Sequence, residues 1–343
     1  MRAVANPCEL VRSSTRLVCS RAAHVSLHKD KLRSMADRLA QDNRKRLASN
    51  PREEDGVGWD ELNVHFVGRE ELMIQYLLVL DAINFCFWPS EGAWEYSDLS
   101  LCLRSALLKD DKAFSASRLA AMTEESFQVL LDGRTMPLMK ERTRLLREVG
   151  EGLQQYDGEA ANLVKSAGKS ATVLISKVLD LFPGFRDQTK YKEEEVFFYK
   201  RAQIFVGDVW GSLRGRGLGE FDDISSLTMF ADYRVPQLLH AEGVLSYSDA
   251  LVAKISAGQI IEAGSEEEVE LRAWSVQAVE QLAQMLREDH GLPHVRSIQV
   301  AADACGCGGM TSSEVDWILW EEGEQKHIEK LIAPHHRTWT TFY

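Results

Sequence analysis

Helical periodicity is the feature that most limits how this chain folds. In five long segments, apolar residues recur three and four positions apart, which is the spacing of one face of an α-helix. These segments are 70–85, 97–110, 171–182, 193–210 and 266–288. Only "NVHFVG", at 63–68, resembles a short strand. The pattern therefore predicts a mostly α fold with few short strands.

Residues typical of helix ends support these helices. A serine or threonine followed three positions later by an acid can form a capping box, because each side chain reaches the other residue's backbone amide. Such pairs occur three times, at Ser246 and Asp249, Ser265 and Glu268, and Thr311 and Glu314. Proline or glycine follows several of the predicted helices, where it favours termination.

Nothing in the chain marks a firm domain boundary. A chain of 343 residues can form one large domain or two smaller ones. The natural seams are the loop 50–61 and the glycine-rich stretch 211–220, and neither is long enough to force a division. We therefore expect a single compact helical domain over 1–343.

The charge balance argues against some partners. The chain has 52 acidic and 40 basic side chains, a formal charge of −12, which disfavours a nucleic-acid polymer. A small anion is still allowed, because a few local cations can hold it. The apolar run 73–88 is interrupted by Gln75, Asp81 and Asn84, so no membrane span is expected.

The N-terminus and the cysteines bear on the compartment. Residues 1–29 are rich in arginine and serine, as transit peptides are, but they lack amphipathic spacing. We expect a cytoplasmic protein, with import as the alternative. None of the six cysteines forms a CxxC pair, and "CGCGG" at 305–309 is too tight for a usual zinc site. Reduced thiols and no metal are therefore expected.

Polar residues inside apolar helices are the remaining candidates, since no Walker A, Rossmann, HExxH or GxSxG motif is present. Asn84 lies among aromatic residues, and Tyr199 and Lys200 form part of a narrow polar stripe. Asn84 could equally be a satisfied core amide or mark a helix end, and Lys200 could lie on a solvated edge. His65 and Asp208 leave a structural or exposed role open as well.

The segment "TMFADYRVPQLLH", at 228–240, places Asp232 and Arg234 among residues that should be buried. A buried carboxylate needs a partner or a chemical role, because its desolvation costs several kcal/mol. Pro236 suits the first turn of a helix, so Asp232 would precede that helix. A structural pair with Arg234, or a capping role, is the alternative to chemistry.

Seven segments together resemble one known family, the queuosine salvage proteins, which are queuosine 5′-phosphate N-glycosylases/hydrolases. They are "INFCFW" (83–88), "LCLRSALLKD" (101–110), "FPGFRD" (182–187), "FYKRAQIFVGDVW" (198–210), "FADYRVPQ" (230–237), "EVDWILW" (314–320) and the final "HHRTWTTFY". The resemblance runs from about residue 9 to the C-terminus. "WEYSDLS" and "CGCGG" are less typical of the family.

The resemblance implies a reaction and a fold. The family hydrolyses the N-glycosidic bond of queuosine 5′-monophosphate, without a cofactor, and releases queuine and ribose 5-phosphate. Its fold resembles the helix-hairpin-helix DNA glycosylases. Asp232 would be the catalytic carboxylate, and Lys200 would lie close to the ribose phosphate. A monomer acting on this small-molecule substrate is expected.

The chemistry of this bond assigns further roles. The ribose becomes oxocarbenium-like, so Asp232 can stabilise it or activate water. We expect Arg234 either to orient Asp232 or to hold another carboxylate, and to lower the Asp232 pKa. Asp208 is a candidate donor of the leaving-group proton. The pocket residues expected around Asp232 are His65, Asn84, Phe85, Trp88, Tyr199, Lys200, Asp208, Phe230, Tyr233 and Arg234.

Two other functions stay open, and so does the fate of the tail. A DNA or RNA glycosylase acting on a flipped base would need a basic face. A non-enzymatic helical adaptor would have kept the fold and lost the chemistry. The final "HHRTWTTFY" can dock, with His336 or Arg337 holding phosphate, or fray; its aromatic residues favour docking.

Overall fold

The structure is a computed structural model that describes residues 6–49, 63–88, 94–292 and 309–343. Within these ranges the chain forms fourteen α-helices and four short strands, so the mostly α prediction is confirmed. The predicted strand at 63–68 is wrong, because these residues form no ladder with any other described segment.

The helices are α1 (Pro7–Arg21), α2 (Lys29–Ser49), α3 (Glu70–Ala82), α4 (Tyr96–Lys109), α5 (Ala116–Ala120), α6 (Glu124–Leu130), α7 (Met139–Leu153), α8 (Ala160–Lys165), α9 (Ala171–Leu181), α10 (Lys200–Ser212), α11 (Arg234–Ala241), α12 (Asp249–Ser256), α13 (Glu266–Glu288) and α14 (Ser312–Ile328). The strands are β1 (Val25–Leu27), β2 (Gln188–Tyr191), β3 (Glu194–Phe197) and β4 (Leu245–Tyr247).

The chain divides into two compact units. Unit 1 comprises 1–58, 188–200 and 225–339, and unit 2 comprises 59–187, 201–224 and 340–343. Of the two predicted seams, 211–220 lies inside unit 2, and 50–61 lies outside the described residues. The single domain and the likeness to helix-hairpin-helix glycosylases stay predictions.

Unit 1 is built around α13. This helix is buried over most of its length, and α1, α2, α11 and α14 pack against it. A helix with apolar residues on several faces needs neighbours on those faces, which explains its central place. Its start matches the serine half of the predicted capping box, since Ser265 Oγ accepts a hydrogen bond from Glu268 N at 3.3 Å, while Glu268 Oε2 accepts from Gly264 N. The long apolar segment 266–288 therefore organises the unit.

The other two predicted caps differ from each other. Thr311 and Glu314 form the full capping box at the start of α14, as predicted. Ser246 does not cap α12, because it lies in β4 and pairs with Ser26 of the antiparallel strand β1. The hydroxyl of Ser248 accepts from Leu251 N and caps α12 in its place.

The predicted helix 193–210 is two elements. Its first part is β3, which forms an antiparallel hairpin with β2, and its second part begins α10 at Lys200. Two residues allow this division by adopting left-handed backbone conformations, Lys192 in the hairpin turn with φ 55° and Tyr199 before the helix with φ 52°. Neither residue type signals such a conformation in a sequence.

Unit 2 is built around α3, which is buried from Met73 to Ala82 and packs against α4, α7 and α8. Helices α5 and α7 approach closely at Gly150, where a Cβ atom would lie 2.2 Å from Ala120 N. No described helix is long and apolar enough to cross a membrane.

The C-terminal segment docks, as predicted. Within unit 1, Ile261 N donates to Arg337 O at 2.7 Å, and His336 is buried. Within unit 2, Cys86 N donates to Tyr343 O at 2.9 Å. Cysteines 8, 19, 86 and 102 carry free thiols, and the CGCGG loop, apart from its last glycine, lies outside the described residues.

Candidate active site

Asp232 lies at the start of α11, as the position of Pro236 predicted. The helix begins at Arg234, and Asp232 Oδ1 accepts hydrogen bonds from Arg234 N at 2.9 Å and Val235 N at 3.1 Å. The carboxylate therefore supplies acceptors for two amide groups that have no partner inside the helix. Asp232 is 8% exposed. The capping alternative is thus correct as geometry, and it occupies one of the two oxygens.

Side chains from distant helices hold the loop that carries Asp232. Asp316 of α14 accepts a hydrogen bond from Phe230 N at 3.3 Å. Arg272 of α13 donates from Nε to Ala231 O at 3.1 Å. The loop is buried, so its backbone groups need such partners. Its conformation is set by α13 and α14 as much as by its own residues.

Arg234 pairs with a different carboxylate. Its Nε donates to Glu324 Oε1 at 2.7 Å, and its Nη1 donates to Gln237 Oε1 at 2.6 Å. Gly323 makes room for this side chain, because a Cβ atom there would lie 3.0 Å from Arg234 Cγ. Of the two roles expected for Arg234, holding a neighbouring carboxylate is confirmed.

Arg234 lowers the pKa of Asp232, as predicted, but the pKa is raised overall. Burial raises the pKa of Asp232 above its ordinary value, and this effect outweighs the charge of Lys200, the two backbone hydrogen bonds and the charge of Arg234, which all lower it. Desolvation disfavours the charged form of a carboxyl, and here it is the largest effect. Burial therefore disfavours the ionised form of Asp232, and the charge of Lys200 offsets part of this effect.

Lys200 carries the charge that lowers the pKa of Asp232 most. It is the first residue of α10 and is 5% exposed, so the solvated-edge alternative is wrong. Tyr199, which precedes it, is buried as well, and its ring centroid lies 5.5 Å from that of Phe197. A buried lysine is stabilised by a nearby anion, and Asp232 supplies one.

Tyr233 has a partner that the sequence did not indicate. Its ring stacks on the imidazole of His335, with the centroids 4.2 Å apart and an interplanar angle of 24°. Burial lowers the pKa of His335 to about 3, so this ring is neutral at physiological pH. One face of the Tyr233 ring is therefore covered by the C-terminal segment, and its place in the substrate pocket stays a prediction.

Unit 2 holds the other predicted residues, and Phe85 is the most constrained of them. Arg142, fully buried on α7, donates to the carbonyl oxygens of Ile83, Phe85 and Cys86. Arg201 of α10 donates to Ala82 O. The Phe85 ring centroid lies 4.2 Å from Arg142 Cζ and 5.3 Å from Arg201 Cζ. Two buried guanidinium groups thus fix the segment that follows α3.

The remaining predicted residues of unit 2 are buried too. Asn84 and Trp88 belong to the same segment, so Asn84 lies beyond the helix end. His65 Nε2 lies 2.7 Å from the Tyr96 hydroxyl oxygen, which gives this histidine a structural partner. Asp208 is buried on α10, so its exposed alternative is wrong.

Two further features contain none of the predicted residues. A cavity of about 460 Å³ in unit 2 is lined by residues of α4, α5 and α6 and their connections. In unit 1, His24, Glu266 and Glu270 place possible metal ligands within 4.8 Å of one another. Glu270 already accepts from three backbone amides and from the Tyr191 hydroxyl, so we interpret it as a structural carboxylate.

Sequence comparisons give a consistent result. Residues 64–343 match the family described as "Queuosine salvage protein". A protein of Dictyostelium discoideum is 39% identical over 345 residues, which cover 98% of this chain and 100% of that protein. A Sphaerobacter thermophilus protein is 37% identical over 345 residues, covering 97% of each chain. A Mus musculus protein is 32% identical over 355 residues, covering 97% and 98%. All three are named queuosine 5′-phosphate N-glycosylase/hydrolase.

Proposed function

The chain belongs to the queuosine salvage protein family, and we propose that it hydrolyses the N-glycosidic bond of queuosine 5′-monophosphate to release queuine and ribose 5-phosphate. The names of the relatives, which it matches over nearly its whole length, support this reaction. The structural observation that carries it is the buried Asp232 carboxylate. It lies within the electrostatic reach of Lys200, and hydrogen bonds occupy only one of its oxygens among the described residues.

Asp232 would act on the ribose. As the bond to the base lengthens, positive charge develops at the anomeric carbon, and a carboxylate in a site of low polarity stabilises that charge strongly. The amides of Arg234 and Val235 fix Oδ1, so Oδ2 is the oxygen we assign to the developing cation or to the attacking water. This division needs no movement of the side chain during the reaction.

The positive charge of Lys200 is suited to the 5′-phosphate of the substrate. A lysine in a nearly dry environment attracts a phosphate strongly, so we keep Lys200 as the candidate for the 5′-phosphate. The leaving deazapurine has carbon where a purine has N7, so its proton must reach another atom of the base. Asp208 stays the candidate donor, and the other pocket residues stay proposals with it.

We expect activity to require ionised Asp232, and this sets a pH dependence. Burial raises the pKa of Asp232, so the carboxylate takes up a proton at a higher pH than an exposed aspartate, whose pKa is about 3.9. Activity should therefore fall as the pH decreases through that raised pKa. A profile of kcat between about pH 3 and 9, with circular dichroism at each pH to exclude unfolding, measures it. An acid limb at the ordinary aspartate pKa, with the fold intact, would contradict the assignment.

Localisation, oligomeric state and the kind of substrate are proposals too. We propose a cytoplasmic monomer that takes a free nucleotide and no nucleic-acid polymer. The acidic charge of −12 supports the last point. Mass measurement in solution and localisation of the tagged protein test the other two.

Detection of free queuine by mass spectrometry tests the reaction directly. Purified protein is incubated with queuosine 5′-monophosphate, with queuosine lacking the phosphate, and with uracil-containing single-stranded DNA. Release from the nucleotide and none from the DNA is the expected result. Release of uracil would favour the nucleic-acid glycosylase. No release from any substrate by folded protein would favour the adaptor and reject the hydrolase.

A further inference from the structure

Arg272 of α13 contacts both chain segments that carry the proposed reactive groups of unit 1. Its Nε donates to the carbonyl oxygen of Ala231, the residue before Asp232, at 3.1 Å. Its Cζ lies 3.9 Å from the ring centroid of Phe198, two residues before Lys200. The two segments are far apart in sequence, and this side chain lies against both.

The guanidinium is itself held in place. Arg272 Nη1 lies 3.4 Å from Glu268 Oε1, one turn earlier on α13, and both side chains are at most 3% exposed. Glu268 Oε2 in turn accepts from Gly264 N at 3.1 Å, which ties the pair to the start of the helix. A planar guanidinium can donate in one direction, pair in another and present its face to a ring, whereas an ammonium group cannot combine these contacts.

We propose that Arg272 is a positioning residue that sets the spacing between Asp232 and Lys200. This inference rests on the proposed function, because it assigns Arg272 a role through those two side chains. Arg272 itself would touch neither substrate nor water. Its contact with Ala231 fixes the Asp232 loop, and its contact with Phe198 fixes the Lys200 segment, so one side chain links the two.

Other charged groups surround these residues. Lys200 and Arg234 act on the Asp232 carboxyl from the starts of α10 and α11. Glu268 pairs with Arg272, and the charge of Arg272 contributes to lowering the pKa of His336 in the C-terminal segment. Asp316 of α14 accepts a hydrogen bond from the Phe230 amide. Of these, Lys200 is the charge that most favours ionised Asp232, so a change in spacing alters how easily that carboxyl ionises.

Replacing Arg272 by lysine tests the proposal, because the positive charge stays and the geometry is lost. We expect kcat to fall about tenfold to a hundredfold, since displacement of reactive groups by about 1 Å has effects of this size. The acid limb of the kcat profile should move to higher pH, because Lys200 then stabilises the Asp232 anion less. A role in stability alone would not move that limb.

A second variant alters the aromatic ring that the Arg272 guanidinium contacts. Phe198→Leu removes the ring beneath the guanidinium and leaves the hydrogen bond to Ala231 in place. It should move the acid limb in the same direction. This variant decides the matter if Arg272→Lys does not fold.

Arg12 offers a matched control. It donates to the carbonyl oxygens of Ser226 and Leu227 in the same loop and pairs with Glu280 of α13 at 2.8 Å. Among the described residues it makes no hydrogen bond or ion pair with the Phe198 segment. Arg12→Lys should therefore leave the acid limb where it is in the wild type, whatever it does to the melting temperature.

The outcomes separate cleanly. A shift to higher pH in Arg272→Lys and Phe198→Leu, and none in Arg12→Lys, supports the proposal. An unchanged acid limb in the first two, even with a lower kcat, overturns it, and so does an equal shift in all three. A wild-type protein that releases no queuine rejects the proposed function itself, which is a different failure.

Discussion

Asp232→Asn should lower the release of queuine from queuosine 5′-monophosphate at least ~100-fold, the effect of removing one electrostatic stabiliser of a transition state. Asparagine has the shape of aspartate but no charge. Its carbonyl oxygen can replace Oδ1 as the acceptor for the amides of Arg234 and Val235, so the start of α11 is retained. Steady-state kinetics with mass-spectrometric detection of queuine measures the loss.

The stability of the same variant should not fall. The pKa of Asp232 is raised in the folded protein, so at neutral pH the charged form costs folding free energy, and asparagine removes that cost. We expect an equal or higher melting temperature at pH 8. Asp232→Ala is the matched control, since it loses charge and acceptor together and should cost about 1 kcal/mol more. Retained activity in folded Asp232→Asn would refute the catalytic role.

Arg142→Met should be the most destabilising of the substitutions considered in unit 2. The guanidinium is fully buried and donates to three backbone carbonyl groups of the segment after α3. Methionine fills much of the space but donates nothing, and each unsatisfied buried group costs about 1–3 kcal/mol. We expect a loss of roughly 3 kcal/mol or more in the free energy of unfolding, measured by urea denaturation.

Arg144→Met provides the comparison on the same helix. Arg144 is 47% exposed and pairs with Glu141 and Glu148 at the surface of α7. Exposed pairs contribute about 0–1 kcal/mol, so this variant should unfold close to the wild type. Equal urea midpoints for the two variants would show that the carbonyl contacts of Arg142 contribute little.

The sequence predicted the long helices well because their apolar spacing reflects packing within each unit. The segment 266–288 and the helix Glu266–Glu288 coincide, and 171–182 differs by one residue from Ala171–Leu181. The segment 193–210 failed because β3 and α10 are both partly apolar, so their patterns merge. The division depends on Tyr199 in a left-handed conformation, which no propensity signals in a tyrosine.

The candidate site was predicted only in part, for a physical reason. Burial of Asp232 was predicted from its apolar neighbours, and the structure confirms it. The sequence left the burial of Lys200 and Asp208 open, and the structure shows that both are buried. The carboxylate that pairs with Arg234 and the ring that stacks on Tyr233 belong to Glu324 and His335, which lie about 90 and 100 positions later in the chain. Only tertiary packing brings them together, so local patterns carry no signal for them.

The buried arginines were missed because arginine usually marks a solvated face. For Arg142 a signal was present, since it shares one face of α7 with Leu145, Leu146 and Val149. A charged residue on the apolar stripe of a helix is worth treating as a buried donor. Arg272 gave no such signal, because almost every face of its helix is buried.

The two oxygens of the Asp232 carboxylate have different roles, since Oδ1 accepts from the start of α11 and Oδ2 is assigned to the reaction, and this bears on gene duplication. Codons for asparagine and alanine both lie a single nucleotide from an aspartate codon, but only asparagine retains the acceptor that starts α11. Selection for a folded but inactive copy would therefore favour asparagine at position 232. This one codon therefore affects both the catalytic charge and the start of α11. Asparagine removes the charge and keeps the acceptor, whereas alanine removes both.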